Sequence, residues 1–187
     1  IDAVSFNEVN HCLKNGFNSN DIVFAGVGKT DQDIEEGIKN NISYFNVESF
    51  QELDVIDKIS KGLSKKTNVS IRINPNIFDG GNNKTSVGHS ESKFGIPMDQ
   101  LDRLVGMEKA KKIKIDGIHV HSGSDISNID SFIKGAKTVF NLAFKFKNIK
   151  YIDLGGGFKV PYFKGDTYTD MNKLGNKIGI EFNNFKK

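Results

Sequence analysis

At 187 residues, 37% hydrophobic and 26% charged, the chain is long enough to bury a core and has the balance of a globular protein. A formal net charge of +3 with acids and bases interspersed argues against nucleic acid as a partner, and no apolar run approaches the roughly 18 residues of a membrane-spanning helix. A single cysteine, Cys12, excludes a disulfide within the chain and points to a reducing compartment such as the cytoplasm.

Taken in chain order, short apolar runs predict strands over 2–4, 21–26, 43–48, 68–74, 113–121 and 150–154. Between and after them, amphipathic spacing predicts helices over 6–16, 31–41, 50–64, 98–110, 129–146 and 169–186. The opening Ile1-Asp2-Ala3-Val4-Ser5 reads as the middle of a strand rather than as a secretory leader. Gly16 suits a helix stop. Thr30 with Asp31 and Asp33 suits a helix start, and Ser49 with Glu52 three residues on forms a capping-box pattern. The runs at 22–25, 69–73 and 149–154 are nearly continuous, as in strands covered on both faces. One connection is long and polar, residues 75–92, and follows a strand end, where barrel enzymes carry their active sites.

Strict β–α alternation requires a parallel sheet, as an open doubly wound layer or as a barrel. An open sheet usually carries its glycine-rich phosphate turn after the first strand. Here the triplet Gly155-Gly156-Gly157 follows the last one. Barrels often bind phosphate after strands seven and eight. The expected fold is therefore α/β, an incomplete TIM (β/α)8-type barrel comprising about strands 2 to 7.

The candidate chemistry gathers at strand ends. Glycines lacking Cβ let backbone N–H groups approach an anion. In His119-Val120-His121 both imidazoles point one way on a strand. They suit a metal pair or a ring stacked on a planar cofactor with Ser124 on its polar edge. Arg72 sits mid-strand, where a guanidinium needs an acid or a ligand; Asp2 is one possible partner. Gly26-Val27-Gly28-Lys29-Thr30 resembles the end of a nucleotide P-loop, but the required earlier glycine is Val23. Lys29 itself suits a Schiff base only if desolvated, and a solvent-facing loop lysine is the simpler expectation.

Together these residues resemble the pyridoxal-phosphate-dependent (PLP) decarboxylases of the alanine racemase-like barrel fold. Asp2-Ala3-Val4-Ser5 with Glu8 is similar to that family's D-x-x-S-x-x-E. Val47-Glu48-Ser49 through Leu53 is similar to its (V/D)-(D/E)-S-x-x-E-L, and Arg72-Ile73-Asn74-Pro75 to R-(V/I)-N-P. Ser92-Lys93-Phe94-Gly95-Ile96 is similar to S-K-F-G-I, His119 to Ser124 to H-x-H-x-G-S, and Gly155-Gly156-Gly157-Phe158 to G-G-G-(F/L). The arginine and histidine motifs favour the diaminopimelate decarboxylase branch over ornithine decarboxylase.

The resemblance implies that His121 stacks on the PLP ring, that Ser124 and the backbone of Gly156 and Gly157 hold its phosphate, and that Arg72 and Asp2 line the pocket. It implies decarboxylation of a small amino acid, meso-diaminopimelate to L-lysine and CO2, in a cytoplasmic homodimer without nucleic-acid or membrane partners. It places residues 1–187 in part of the PLP-binding barrel, with the family's C-terminal β-domain outside them. The Schiff-base lysine motif, Y-A-x-K, is not found within the sequence and is expected upstream of Ile1, so the chain alone is expected to be inactive. Three alternatives stay open. They are a non-catalytic decarboxylase-like binding protein, an ornithine or other amino-acid decarboxylase, and a metal-dependent barrel hydrolase using His119 and His121.

Overall fold

The computed structural model describes residues 1–74, 94–108 and 113–187. The predicted loop at 75–92 lies outside the described residues. The strands are β1 (Asp2–Ala3), β2 (Val23–Phe24), β3 (Tyr44–Val47), β4 (Thr67–Asn74), β5 (Ile96–Pro97), β6 (Ile113–His119) and β7 (Tyr151–Asp153). The helices are α1 (Phe6–Lys14), α2 (Asp31–Lys39), α3 (Phe50–Gly62), α4 (Leu101–Glu108), α5 (Ile129–Ala143) and α6 (Met171–Phe185). Sheet order is β1-β2-β3-β4-β6-β7, all pairs parallel, with the short β5 added beside the end of β4. Neighbours in the sheet are thus neighbours in sequence, the order of a barrel rather than of a doubly wound sheet, which reverses direction partway.

The sheet is strongly curled. Tyr44 on β3 and Tyr151 on β7 stack with ring centroids 5.2 Å apart. In a flat sheet, three strand spacings would separate them by about 14 Å. Residues two apart on a strand share a face. This concave face therefore carries Tyr44, Asn46 and Glu48 of β3 and the residue following it, Ser70, Arg72 and Asn74 of β4, and His119 of β6. The other face meets the helices. Phe45, Val47, Val69, Ile71, Ile73, Ile115 and Ile118 are buried there with Ile34, Leu53, Ile56 and Leu104 from α2, α3 and α4. Gly37 lets α2 close on this layer, because a β-carbon there would lie 2.7 Å from the Phe45 ring.

Helix starts follow the sequence signals with one difference. Thr30 and Asp33 form a reciprocal capping box on α2. At α3, Ser49 Oγ accepts from the Glu52 N–H at 3.2 Å, but the Glu52 carboxylate accepts from Glu48 N–H rather than from Ser49 N–H. The other Glu52 oxygen pairs with a cation, described below. Gly16 does end α1, at φ +86°. The edge strand β7 departs from the fully covered strand expected at 149–154: Tyr151 is exposed, and Ile152 and Asp153 are half-buried. Among the described residues, no helix is long and apolar enough to cross a membrane.

A register shift in β6 sets the site. Val69 pairs with Ile115, yet Ser70 pairs with Gly117, so Asp116 is an extra residue. Such a bulge changes which side chains face which way. It places His119 opposite Arg72 on the concave face. Gly117 permits it, since a β-carbon would lie 2.9 Å from the Ser70 β-carbon.

Candidate active site

The two strand ends singled out in the sequence lie against one another. Val120 N–H donates to Asp153 O at 2.9 Å, extending the β6–β7 pairing by one residue. Farther out, Ile126 N–H donates to Gly157 O at 2.9 Å, and Lys159 N–H returns to Ile126 O at 3.0 Å. Between these contacts the glycine loop is wedged tightly. Gly155 has φ +72°, and a β-carbon on it would sit 2.7 Å from Val120 O and 2.9 Å from His121 Nδ1. Gly157 has φ +87°, and a β-carbon there would sit 2.1 Å from Gly123 O and 3.2 Å from Ser124 Cα. Left-handed backbone and lack of space thus both demand glycine.

Gly156 differs from its neighbours. Its φ is not positive, and a β-carbon on it would meet nothing within 4 Å. Gly155 N–H is spent on Asp153 Oδ1 at 2.8 Å. Among the described residues, the N–H groups of Gly156 and Gly157 have no acceptor. Successive free N–H groups on backbone that alternates in hand form an anion nest. Ser124, exposed and one residue past Gly123, borders the same loop.

His121 is half-buried beside this nest. Burial, and then the Arg72 guanidinium, hold its imidazole below the ordinary range. It is thus neutral at pH 7 and can offer a flat face to a planar ring. His119 is buried, with its Nδ1 unpartnered among the described residues and its Nε2 3.9 Å from Asp153 Oδ2. Burial pushes it down to about 4, against the pull of Asp153.

Arg72 is buried and gives Nη1 to Glu48 Oε1 at 2.6 Å. Its guanidinium carbon lies 4.8 Å from the Phe94 ring centroid. The partner is therefore Glu48, the residue after β3, and not Asp2 as the sequence allowed. The other Glu48 oxygen accepts from Gly95 N–H at 3.1 Å. Asp2 is solvent-accessible at the far end of the curled sheet, yet enough chain surrounds it for desolvation, then the Asp153 carboxylate, to raise its pKa. First and last strands thus face each other across the concavity.

Two further residues were not legible in the sequence. Lys29, expected to face solvent, has a side chain only 1% exposed and pairs with Glu52 at 2.8 Å. Asp153 sits opposite His119 in the β6–β7 register and accepts from the glycine loop. The acid in the first turn of α3 and the acid ending β7 were the available signals, but both needed the folded arrangement to acquire partners. For the metal alternative, His11 lies on exposed α1 and His89 lies outside the described residues. Among the described residues, no group of three or more His, Cys, Asp and Glu is placed to hold a metal ion.

A model of the pyridoxal-dependent decarboxylase family, its pyridoxal-binding domain, matches residues 1–186. A diaminopimelate decarboxylase of Bacteroides thetaiotaomicron is 37% identical over 166 residues, covering 86% of this chain and 43% of that protein. The crystal structure of diaminopimelate decarboxylase from Helicobacter pylori complexed with L-lysine aligns with a TM-score of 0.89 at 32% identity, over 96% of this chain and 47% of that one. The arginine decarboxylase of Paramecium bursaria Chlorella virus aligns less well, with a TM-score of 0.76 at 25% identity over 97% and 48%. The chain therefore spans less than half the length of the relatives it matches.

Proposed function

Because the chain belongs to the pyridoxal-dependent decarboxylases, within their pyridoxal-binding domain, we propose that it forms the phosphate-and-ring face of a diaminopimelate decarboxylase. The observation that carries this reading is the pair of N–H groups on Gly156 and Gly157 that no described residue engages, built against Ser124 and beside His121. The residues fit the cofactor in three respects: a nest for a dianion, a neutral imidazole for an aromatic ring, and a buried guanidinium nearby.

When bound, pyridoxal phosphate supplies an electron sink for the pair left on an amino acid's α-carbon as carboxylate departs. In this reading the N–H groups of Gly156 and Gly157 and the Ser124 hydroxyl donate to phosphate. His121, kept neutral by burial and by Arg72, covers one face of the ring without setting a second cation there. Arg72 is held in place by Glu48, and Asp2 closes the pocket from the first strand. Lys29 is not assigned the covalent link to the cofactor. Its ammonium has all three hydrogens engaged by Gly26 O, Asn46 O and Glu52 Oε1. A cytoplasmic homodimer acting on meso-diaminopimelate is part of the same reading, and the higher sequence identity to the diaminopimelate decarboxylases of Bacteroides thetaiotaomicron and Helicobacter pylori, 37% and 32%, than to the arginine enzyme, 25%, supports that substrate.

The full-length protein with pyridoxal phosphate should release CO2 and L-lysine from meso-diaminopimelate and act far more slowly on ornithine or arginine. Preference for either of the latter overturns the substrate assignment. Borohydride reduction of the loaded protein followed by peptide mapping should find no adduct on Lys29; an adduct there overturns the role given to it.

A further inference from the structure

Lys29 follows β2 in the turn that leads to α2, where a lysine would ordinarily reach water. Instead its ammonium donates to Gly26 O at 2.7 Å, Asn46 O at 2.8 Å and Glu52 Oε1 at 2.8 Å. It also lies 5.4 Å from the Phe24 ring centroid. A buried charge of this kind is retained only where its partners are complete, and here they are. One cation thereby ties the end of β2, the end of β3 and the first turn of α3.

The contacts continue beyond Glu52. Its second oxygen accepts from Glu48 N–H at 3.0 Å. This bond fixes the backbone of the residue whose carboxylate receives Arg72 Nη1 at 2.6 Å and Gly95 N–H at 3.1 Å. Arg72 in turn lies opposite His119 in the β4–β6 register, two residues before His121 on the same strand end, and bears electrostatically on both and on Asp2. An unbroken series of hydrogen bonds thus leads from Lys29, through Glu52 and Glu48, to the guanidinium on the concave face.

We propose that Lys29 is a positioning residue for the cofactor site: through Glu52 and Glu48 it holds Arg72 in place beside His121, and pyridoxal phosphate binds tightly only while that series is intact. The inference rests on the reading that this face holds pyridoxal phosphate. A purely structural clamp would protect the fold without passing through Arg72, so the two roles separate in a double-mutant cycle.

The test uses the full-length protein in four forms: wild type, Lys29→Met, Arg72→Gln and the double variant. Each is titrated with pyridoxal phosphate by absorbance, and its melting temperature is recorded alongside. Lys29→Met is expected to raise the cofactor Kd about tenfold, and the double variant to bind within about twofold of Arg72→Gln alone, because residues in one network do not add. A wild-type Kd in either single variant, or effects that multiply in the double variant, overturns the inference. Lys29→Met leaves the Glu52 charge buried and can prevent folding. Glu52→Gln then replaces it in the cycle, because the amide sets an NH2 donor at one of the two oxygen positions, facing either Lys29 or Glu48 N–H; the same outcomes are expected. Wild-type protein that fails to bind the cofactor sinks the functional reading and this inference with it. Wild-type binding with multiplicative effects sinks this inference alone.

Discussion

At Gly157 the backbone is left-handed and a β-carbon would lie 2.1 Å from the carbonyl oxygen of Gly123. Gly157→Ala must therefore strain the backbone and part the two loops, at a cost of about 1–3 kcal/mol. Chemical denaturation of the full-length variant should show that loss, and wild-type stability would contradict the packing described. His119 makes a prediction of opposite kind. Its folded pKa, about 4, lies below the 6.5 of the unfolded chain. Above pH 6.5 both states leave it neutral and it contributes no pH dependence. As pH falls from 6.5 to about 4 the unfolded state protonates first, so stability falls by on the order of 3 kcal/mol and then levels off. Unfolding midpoints of wild type and His119→Asn, compared across that range, should diverge only there; parallel profiles would contradict a buried neutral imidazole. The need for glycine at 155 and 157 was legible in the sequence, because a triplet directly after a buried run signals a turn through positive φ. Lys29 and Arg72 were not legible in their partners, since a side chain's nearest acid depends on register that no local pattern encodes.

Elements were read more fully than their contacts. All six expected strands and six helices form, with termini within a few residues, because apolar period and caps such as Thr30 with Asp33 are local signals. The addition of β5 was missed: Ile96-Pro97 reads as the approach to a helix, and its pairing with β4 is made only in three dimensions. The bulge at Asp116 was missed as well, although Gly117 inside a strand is the usual sign of one. Gly117→Ala would press a methyl group against Ser70 at 2.9 Å and should cost about 1–3 kcal/mol by overpacking. Adding Ser70→Gly should restore much of the loss, since it removes the atom struck. Failure of that rescue in thermal melts would show that the register is set elsewhere.

For the molecule as a whole, consecutive strand order and the stacking of Tyr44 on Tyr151 mean that one parallel sheet curls until its first and last strands sense each other. The polar atoms that have no partner among the described residues inside the curl, Asn46 Oδ1 and Nδ2, Ser70 Oγ and His119 Nδ1, mark this concave face as a place for water or ligand rather than for a dry core. The barrel order was legible because the glycine triplet follows the sixth strand. The curl was legible with it, as part of the expected barrel, but its degree was not, since that arises from twist accumulated over many pairings. A separate cavity of about 610 Å³ lies beside β7, lined by Tyr44, Phe146, Ile149, Tyr151, Phe182 and Phe185. Its lining also includes Lys147, Lys150 and Asp153, and it provides no glycine nest. Tyr44 there is pushed up to about 12, by burial first and then by the Asp153 and Asp2 carboxylates, so its hydroxyl keeps its proton.

The most direct measurement is a crystal structure of the full-length protein with pyridoxal phosphate. The phosphate should accept from Gly156 N–H, Gly157 N–H and the Ser124 hydroxyl, with the ring against His121. Phosphate bound instead in the aromatic cavity beside β7, or a glycine loop whose N–H groups turn away from it, would contradict the account.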